Sequence, residues 1–112
     1  MNDPRWKDDS GVKEFAAFTA KYMSSAEFAD SSAGEGFNAA GTIVQVLKQC
    51  ESDLSRDNIM QQAANLKNLE LPLLLPGIRI NTSHRNYSPI RQVQLATFNG
   101  ESWQLFGDVL SD

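Results

Sequence analysis

Between Gly11 and Ser24 the apolar residues Val12, Phe15, Phe18, Tyr22 and Met23 recur at spacings of three and four. That period predicts an amphipathic helix over 11–24. Residues 24–36 are small, acidic and glycine-containing, and Asp30-Ser31-Ser32 with Gly34 read there as turn and breaker residues, so this stretch is expected to be a loop. From Phe37 the helical pattern resumes through Ala40, Ile43, Val44, Val46, Leu47 and Cys50, predicting a second helix over 37–51. Its apolar arc is wide, as in a helix covered on more than one side. Ser55 has the character of an N-cap, with Asp57 in the favourable first turn, ahead of Ile59, Met60, Ala63 and Leu66. A third helix is expected over 56–68.

Pro72 and Pro76 prevent that helix from continuing, because each lacks an amide donor and clashes with the preceding turn. Residues 69–77 are therefore an apolar connector. Ile78 and Ile80 alternate with Arg79 and Asn81 as in a short strand, and 81–89 is a polar loop. Val93, Leu95 and Thr97 alternate with Gln92, Gln94 and Ala96, and Trp103 and Leu105 alternate with Ser102 and Gln104 across Asn99-Gly100. Asn-Gly favours the two positive φ values of a type I′ turn, so a β-hairpin is predicted. The strand and hairpin region is placed at 77–107. The whole reads as an α/β chain, α+β when taken by itself: three helices, a short strand and a C-terminal hairpin in a single partial domain, 1–112.

Composition narrows the functional class. With 41% hydrophobic and 21% charged residues the chain has the makeup of a globular protein and not of a disordered segment. A net charge of −4 provides no attraction to phosphate backbones or anionic lipids, so neither nucleic acid nor a membrane surface is expected as partner. One stretch departs from this balance: 77–91 holds Arg79, Arg85 and Arg91 and no acid, too short for a nucleic-acid footprint. The acidic, polar start has no basic n-region or apolar h-region, so no export signal is visible, and the Leu71–Leu75 stretch is far below the ~20 residues that span a bilayer.

Little catalytic chemistry can be assembled. His84 is the one histidine, in a loop of Asn, Thr, Ser and Arg, and reads as a solvated residue. Cys50, the one cysteine, lies on the apolar helical pattern and reads as an inert buried thiol that can form no disulfide within the chain. One Cys and one His cannot furnish a zinc site, and no other metal site or cofactor is expected. The acid pairs Asp8-Asp9 and Glu51 with Asp53 read as solvated helix ends. Gly34-Glu35-Gly36 lacks the third glycine of a dinucleotide loop and follows no strand. Asn81-Thr82-Ser83 and Asn86-Tyr87-Ser88 match the glycosylation sequon, a pattern frequent by chance in such loops. The chain is accordingly read as a non-enzyme.

From Trp6 onward the chain resembles the C-terminal part of type I periplasmic solute-binding proteins of ABC transporters, the branched-chain amino-acid receptor group. The resemblance is carried by Asp3-Pro4-Arg5-Trp6-Lys7-Asp8-Asp9, by Gly36-Phe37-Asn38-Ala39-Ala40-Gly41-Thr42-Ile43-Val44-Gln45-Val46-Leu47-Lys48-Gln49-Cys50 and by Asp53-Leu54-Ser55-Arg56-Asp57-Asn58-Ile59-Met60. It continues in Leu69-Glu70-Leu71-Pro72-Leu73-Leu74-Leu75-Pro76-Gly77-Ile78, Ser88-Pro89-Ile90-Arg91-Gln92-Val93-Gln94-Leu95 and Phe98-Asn99-Gly100-Glu101-Ser102-Trp103. Order and spacing carry the likeness, since none of these segments is a catalytic signature.

The resemblance implies part of one lobe of a two-lobed periplasmic receptor that closes over an amino acid or related small carboxylate and presents it to a membrane permease. It implies a periplasmic location, whereas the absence of a visible signal makes a cytoplasmic location the expectation if Met1 is the native start. The family's main ligand contacts lie upstream of anything present here, so the chain alone is expected not to be ligand-competent. Phe37 and Asn38 are where this segment comes nearest the cleft, at an expected helix start whose free amides favour an anion. An aromatic residue at a helix start also serves as a packing staple. Two other readings stand beside this one: a sensor or protein-interaction module derived from such a lobe, and a small hydrolase using Cys50 or His84. Helices that lack the sheet they would cover are expected to bury their apolar faces in a homodimer.

Overall fold

The computed structural model describes residues 3–23 and 30–111. Among these residues the chain forms a 3-10 turn at Pro4–Trp6, helices α1 (Ser10–Tyr22), α2 (Ser31–Gln49) and α3 (Arg56–Ala63), and an antiparallel pair of strands, β1 (Gln92–Phe98) and β2 (Trp103–Ser111). The architecture is mixed α+β. Its residues cluster into two compact units, one comprising 1–45 with 71–74 and the other 46–70 with 75–112.

In the first unit α1 starts one residue before the predicted stripe because the Asp9 carboxylate accepts the Val12 amide at 2.9 Å. An N-cap carboxylate satisfies a donor that no helical carbonyl can reach. The helix ends at Tyr22, and Met23 turns extended at φ −134°. Phe15 is completely buried at the centre of this unit. Gly11 is buried where the backbone of Pro72 passes, and a Cβ there would collide with the Pro72 carbonyl. This approach requires glycine.

The second helix corrects the loop expected over 24–36 from its described part onward: α2 begins at Ser31, six residues before Phe37. Asp30 accounts for the difference, since its carboxylate accepts the Ser32 amide at 2.8 Å and its carbonyl accepts the Gly34 amide. Asp-Ser-Ser is thus a helix start and not a turn, the same residue types serving both purposes. The rest of the expected loop, 24–29, lies outside the described residues. At the other end α2 stops at Gln49, and Glu51 takes a left-handed φ of 52°.

In the second unit Ser55 caps α3 as predicted, accepting the Asn58 amide. The helix is five residues shorter than the expected 56–68, ending at Ala63. Thr82 is the cause. Its hydroxyl donates to the Ala63 carbonyl at 2.6 Å and accepts from the Leu66 amide at 2.9 Å, while its own amide donates to the Leu66 carbonyl. The backbone groups that would have extended the helix are taken by a residue sixteen or more positions away. Ala64, Leu66, Ile78 and Ile80 are buried beneath this junction.

The strand expected at Ile78 and Ile80 is reduced to an isolated antiparallel bridge between Leu69 and Ile80. Both bridge bonds are short, 2.9 and 3.0 Å. The ladder does not lengthen because the Ile78 amide, next in register, donates to the Leu75 carbonyl, and because the Asn81 side chain accepts the Asn68 amide at 2.9 Å. The predicted alternation nevertheless survives in burial: Ile78 and Ile80 are buried, Arg79 and Asn81 half-buried.

The hairpin is present and runs past 107 to Ser111. Its turn differs from the predicted type I′ form. Asn99 keeps a negative φ and only Gly100 is positive at 102°, because the Asn99 side chain accepts the amides of both Glu101 and Ser102 at 2.9 Å. Such an Asx turn moves the centre of the turn one residue along. Farther out, Val93 pairs with Leu110 but Leu95 with Phe106, so β2 carries two extra residues around Gly107, which has φ 67°. Gln94 holds this bulge by donating to the carbonyls of Phe106 and Gly107.

Candidate functional site

Phe37 and Asn38 lie in the second turn of α2, so their amides are spent inside the helix and the free-amide anion site expected at a helix start is not formed there. Within the first unit the Phe37 ring tilts against Phe15 at 5.3 Å and against Phe18 at 5.1 Å between centroids. Asn38 accepts the Leu73 amide at 3.2 Å through Oδ1, and its carbonyl accepts the Thr42 hydroxyl. Both side chains therefore tie α2 to neighbouring segments. The aromatic contacts are offset and tilted, the arrangement that ring quadrupoles favour in packed interiors.

The other residues weighed in the sequence are dispersed. Cys50 is a free thiol, 3% exposed, just beyond the end of α2. His84 is exposed in the tight turn closed by Ser83 and Asn86, whose backbones exchange bonds of 2.9 and 3.1 Å. Among the described residues no hydrogen bond joins Cys50 and His84 as a nucleophile–base pair. Asp8 pairs with Lys13 at 3.4 Å, Asp9 caps α1, and the Ser55 amide and hydroxyl hold the Asp53 carboxyl below its ordinary value of 3.8. Each of these acids has a local structural task. Among the described residues no three His, Cys, Asp or Glu side chains are grouped to hold a metal ion, and no helix is long and apolar enough to cross a membrane.

What pattern reading passed over is a polar cavity of about 180 Å³ in the second unit. Four separate stretches build it: Asn68 after α3, Arg79 and Asn81 around the isolated bridge, Pro89, Arg91 and Gln92 leading into β1, and Ser111 at the end of β2. Backbone bonds fix their spacing. The Arg79 amide donates to Gln92 Oε1 at 2.8 Å, the Asn81 amide donates to the Pro89 carbonyl at 3.0 Å, and Asn68 adopts a left-handed φ of 49° to present its amide to Asn81. Two arginines line this cavity and no acid does among the described residues. Glu70 reaches Arg79 from outside as an ion pair whose members are 69% and 42% exposed. A pair so open to water is strongly screened and leaves the arginine available to a competing anion. The single sequence signal for this site was the acid-free run 77–91, two of whose three arginines, Arg79 and Arg91, meet here.

Apolar side chains are also exposed on two elements, each taken by itself. Val93, Leu95, Phe106 and Leu110 are cross-strand partners on one face of the hairpin and are each about half exposed, between 47% and 57%. On α2, Ile43, Val44 and Leu47 are 40–60% exposed. Set against family models, curated proteins and solved structures, the chain matches none of them.

Proposed function

We propose that this chain is the C-terminal part of one lobe of a periplasmic solute-binding receptor serving an ABC transporter, with amino acids or related small carboxylates as the solute class of the whole receptor. The observation that carries the reading is the exposure of apolar side chains on two elements taken separately, Ile43, Val44 and Leu47 of α2 and Val93, Leu95, Phe106 and Leu110 of the hairpin. Faces of this kind belong to elements that pack on a sheet or a companion lobe. The ordered likeness from Trp6 to Trp103 supports the assignment to this receptor class, and a membrane permease is then the partner of the whole receptor.

The part present here lacks the means to hold a solute in a closed cleft. Micromolar affinity corresponds to about −8 kcal/mol, and if two lobes contribute comparably, one retains about −4 kcal/mol, near a millimolar dissociation constant. Without closure the ligand's hydrogen bonds also compete with bulk water. Titration calorimetry with leucine, isoleucine, valine and small aromatic carboxylates is therefore expected to show no binding tighter than about 1 mM. A micromolar isotherm with any of them overturns this reading and makes the chain a receptor in its own right.

The exposed hairpin face also favours a second reading, a protein-interaction module derived from such a lobe. The two differ in what covers the apolar faces: the rest of the same receptor in the first, a different protein in the second.

A further inference from the structure

We infer that Asn99, at the tip of the hairpin, is a self-modification site, where the folded turn promotes closure of the side chain onto the Gly100 nitrogen and conversion to aspartate and isoaspartate. The Gly100 backbone nitrogen attacks Cγ of Asn99, an N–C bond forms as the Cγ–Nδ2 bond breaks, and ammonia leaves with the proton that the Gly100 amide gives up. Water then opens the succinimide at either carbonyl, giving the two acids. It is the sole co-reactant, and nothing is oxidised or reduced.

Sequence and exposure single out the residue. Asn99 is the one asparagine of the chain that precedes a glycine, so no side chain shields the attacking nitrogen. Asn99, Gly100 and Glu101 are all exposed, and a Cβ placed on Gly100 would meet nothing within 4 Å. The turn adds an electrostatic contribution. Attack at Cγ drives negative charge onto Oδ1, which already accepts the Glu101 and Ser102 amides at 2.9 Å each. Two backbone donors at this distance form a small oxyanion hole, set before the reaction starts. Their hold on the side chain also keeps it beside its nucleophile. At other asparagines the following amide is engaged elsewhere: those after Asn58, Asn65, Asn68 and Asn81 donate to Ser55, Thr82, Ile80 and Leu66 respectively. Asn86 has a comparable side-chain bond, to the Ser88 amide at 2.9 Å, but Tyr87 follows it and brings a Cβ next to the nitrogen.

The test is incubation of the folded chain at mildly alkaline pH, with peptide mass spectrometry to locate the converted asparagine and enzymatic carboxyl methylation to count isoaspartate. A synthetic peptide of residues 97–103 is the unstructured reference. Asn99 is expected to convert at least as fast in the folded chain as in the peptide, and about tenfold or more faster than any other asparagine. Glu101→Pro removes one of the two donors and is expected to slow conversion about three- to tenfold in the chain, circular dichroism verifying the hairpin. Should that variant fail to fold, the comparison with the peptide decides alone. Slower conversion in the folded wild-type chain than in the peptide overturns the inference, because the turn would then restrain the side chain and not activate it. Earlier conversion of any other asparagine overturns it too, as does an unchanged rate in a folded Glu101→Pro variant.

Discussion

Replacing Thr82 by Val keeps the shape of the side chain and removes one oxygen, which isolates the energetic role of the hydroxyl at the end of α3. In the native chain that oxygen donates to the Ala63 carbonyl at 2.6 Å and accepts from the Leu66 amide at 2.9 Å, in a residue 9% exposed. Without it the Leu66 amide becomes a donor with no partner beside a buried Leu66 side chain, 2% exposed. An orphaned buried group costs about 1–3 kcal/mol, and the bond to Ala63 adds about 1 kcal/mol. The added methyl recovers roughly 0.8 kcal/mol of apolar burial, leaving a loss of about 2 kcal/mol. With an unfolding entropy of about 2.1 cal/mol/K per residue, that loss lowers Tm by about 8 °C for a chain of 112 residues. Urea unfolding followed by circular dichroism should show a lower midpoint with unchanged slope. Thr82→Ser, which retains the hydroxyl, should cost less than the Val variant despite losing more volume. A Val variant within about 0.5 kcal/mol of wild type, or a Ser variant worse than Val, refutes the idea that this hydroxyl terminates the helix.

Gly11→Ala should destabilise by about 2–3 kcal/mol in the same assay, because its Cβ meets the Pro72 backbone carbonyl, which cannot swing aside as a side-chain tip can. A neutral Ala variant would mean that the two segments do not touch there. Cys50, 3% exposed, should react with an aromatic disulfide reagent about two orders of magnitude more slowly in buffer than in 8 M urea. Equal rates would show an exposed thiol. The uncovered faces of α2 and the hairpin should drive reversible association in a light-scattering concentration series, reduced by Phe106→Lys on the hairpin face. A compact monomer at every concentration would leave those faces without the partner that their composition demands.

The elements legible in the sequence were those whose information is local. The α1 stripe, the Ser55 cap and the alternation through Val93, Leu95 and Thr97 each need only neighbours within a few residues, and α1, α3 and the hairpin all form where these signals lie. The boundaries were less legible for a specific reason. Asp30-Ser31-Ser32 can open a helix or close a turn, because the same side-chain oxygens cap backbone amides in both, and only the following helical run through Ala33 decides between them. The end of α3 was not legible at all. Residues 64–68 contain nothing that forbids a helix, and what stops it there is Thr82, distant in sequence.

The cavity was harder still, because nothing in it is periodic. Asn68, Arg79, Arg91 and Ser111 come from a helix exit, a lone bridge, a strand entry and a strand end, and each becomes a neighbour of the others through bonds that skip ten or more residues. Periodicity reports which face of an element is buried, and such a site lies where elements end. Composition was the one channel open to it: the acid-free run 77–91 in an acidic chain, two of whose arginines, Arg79 and Arg91, line the cavity. Arg79 is also ion-paired with Glu70, an exposed neighbour in the chain. The residues expected at a cleft, Phe37 and Asn38, carried a stronger pattern signal, yet both are committed to packing and hydrogen bonding inside the first unit.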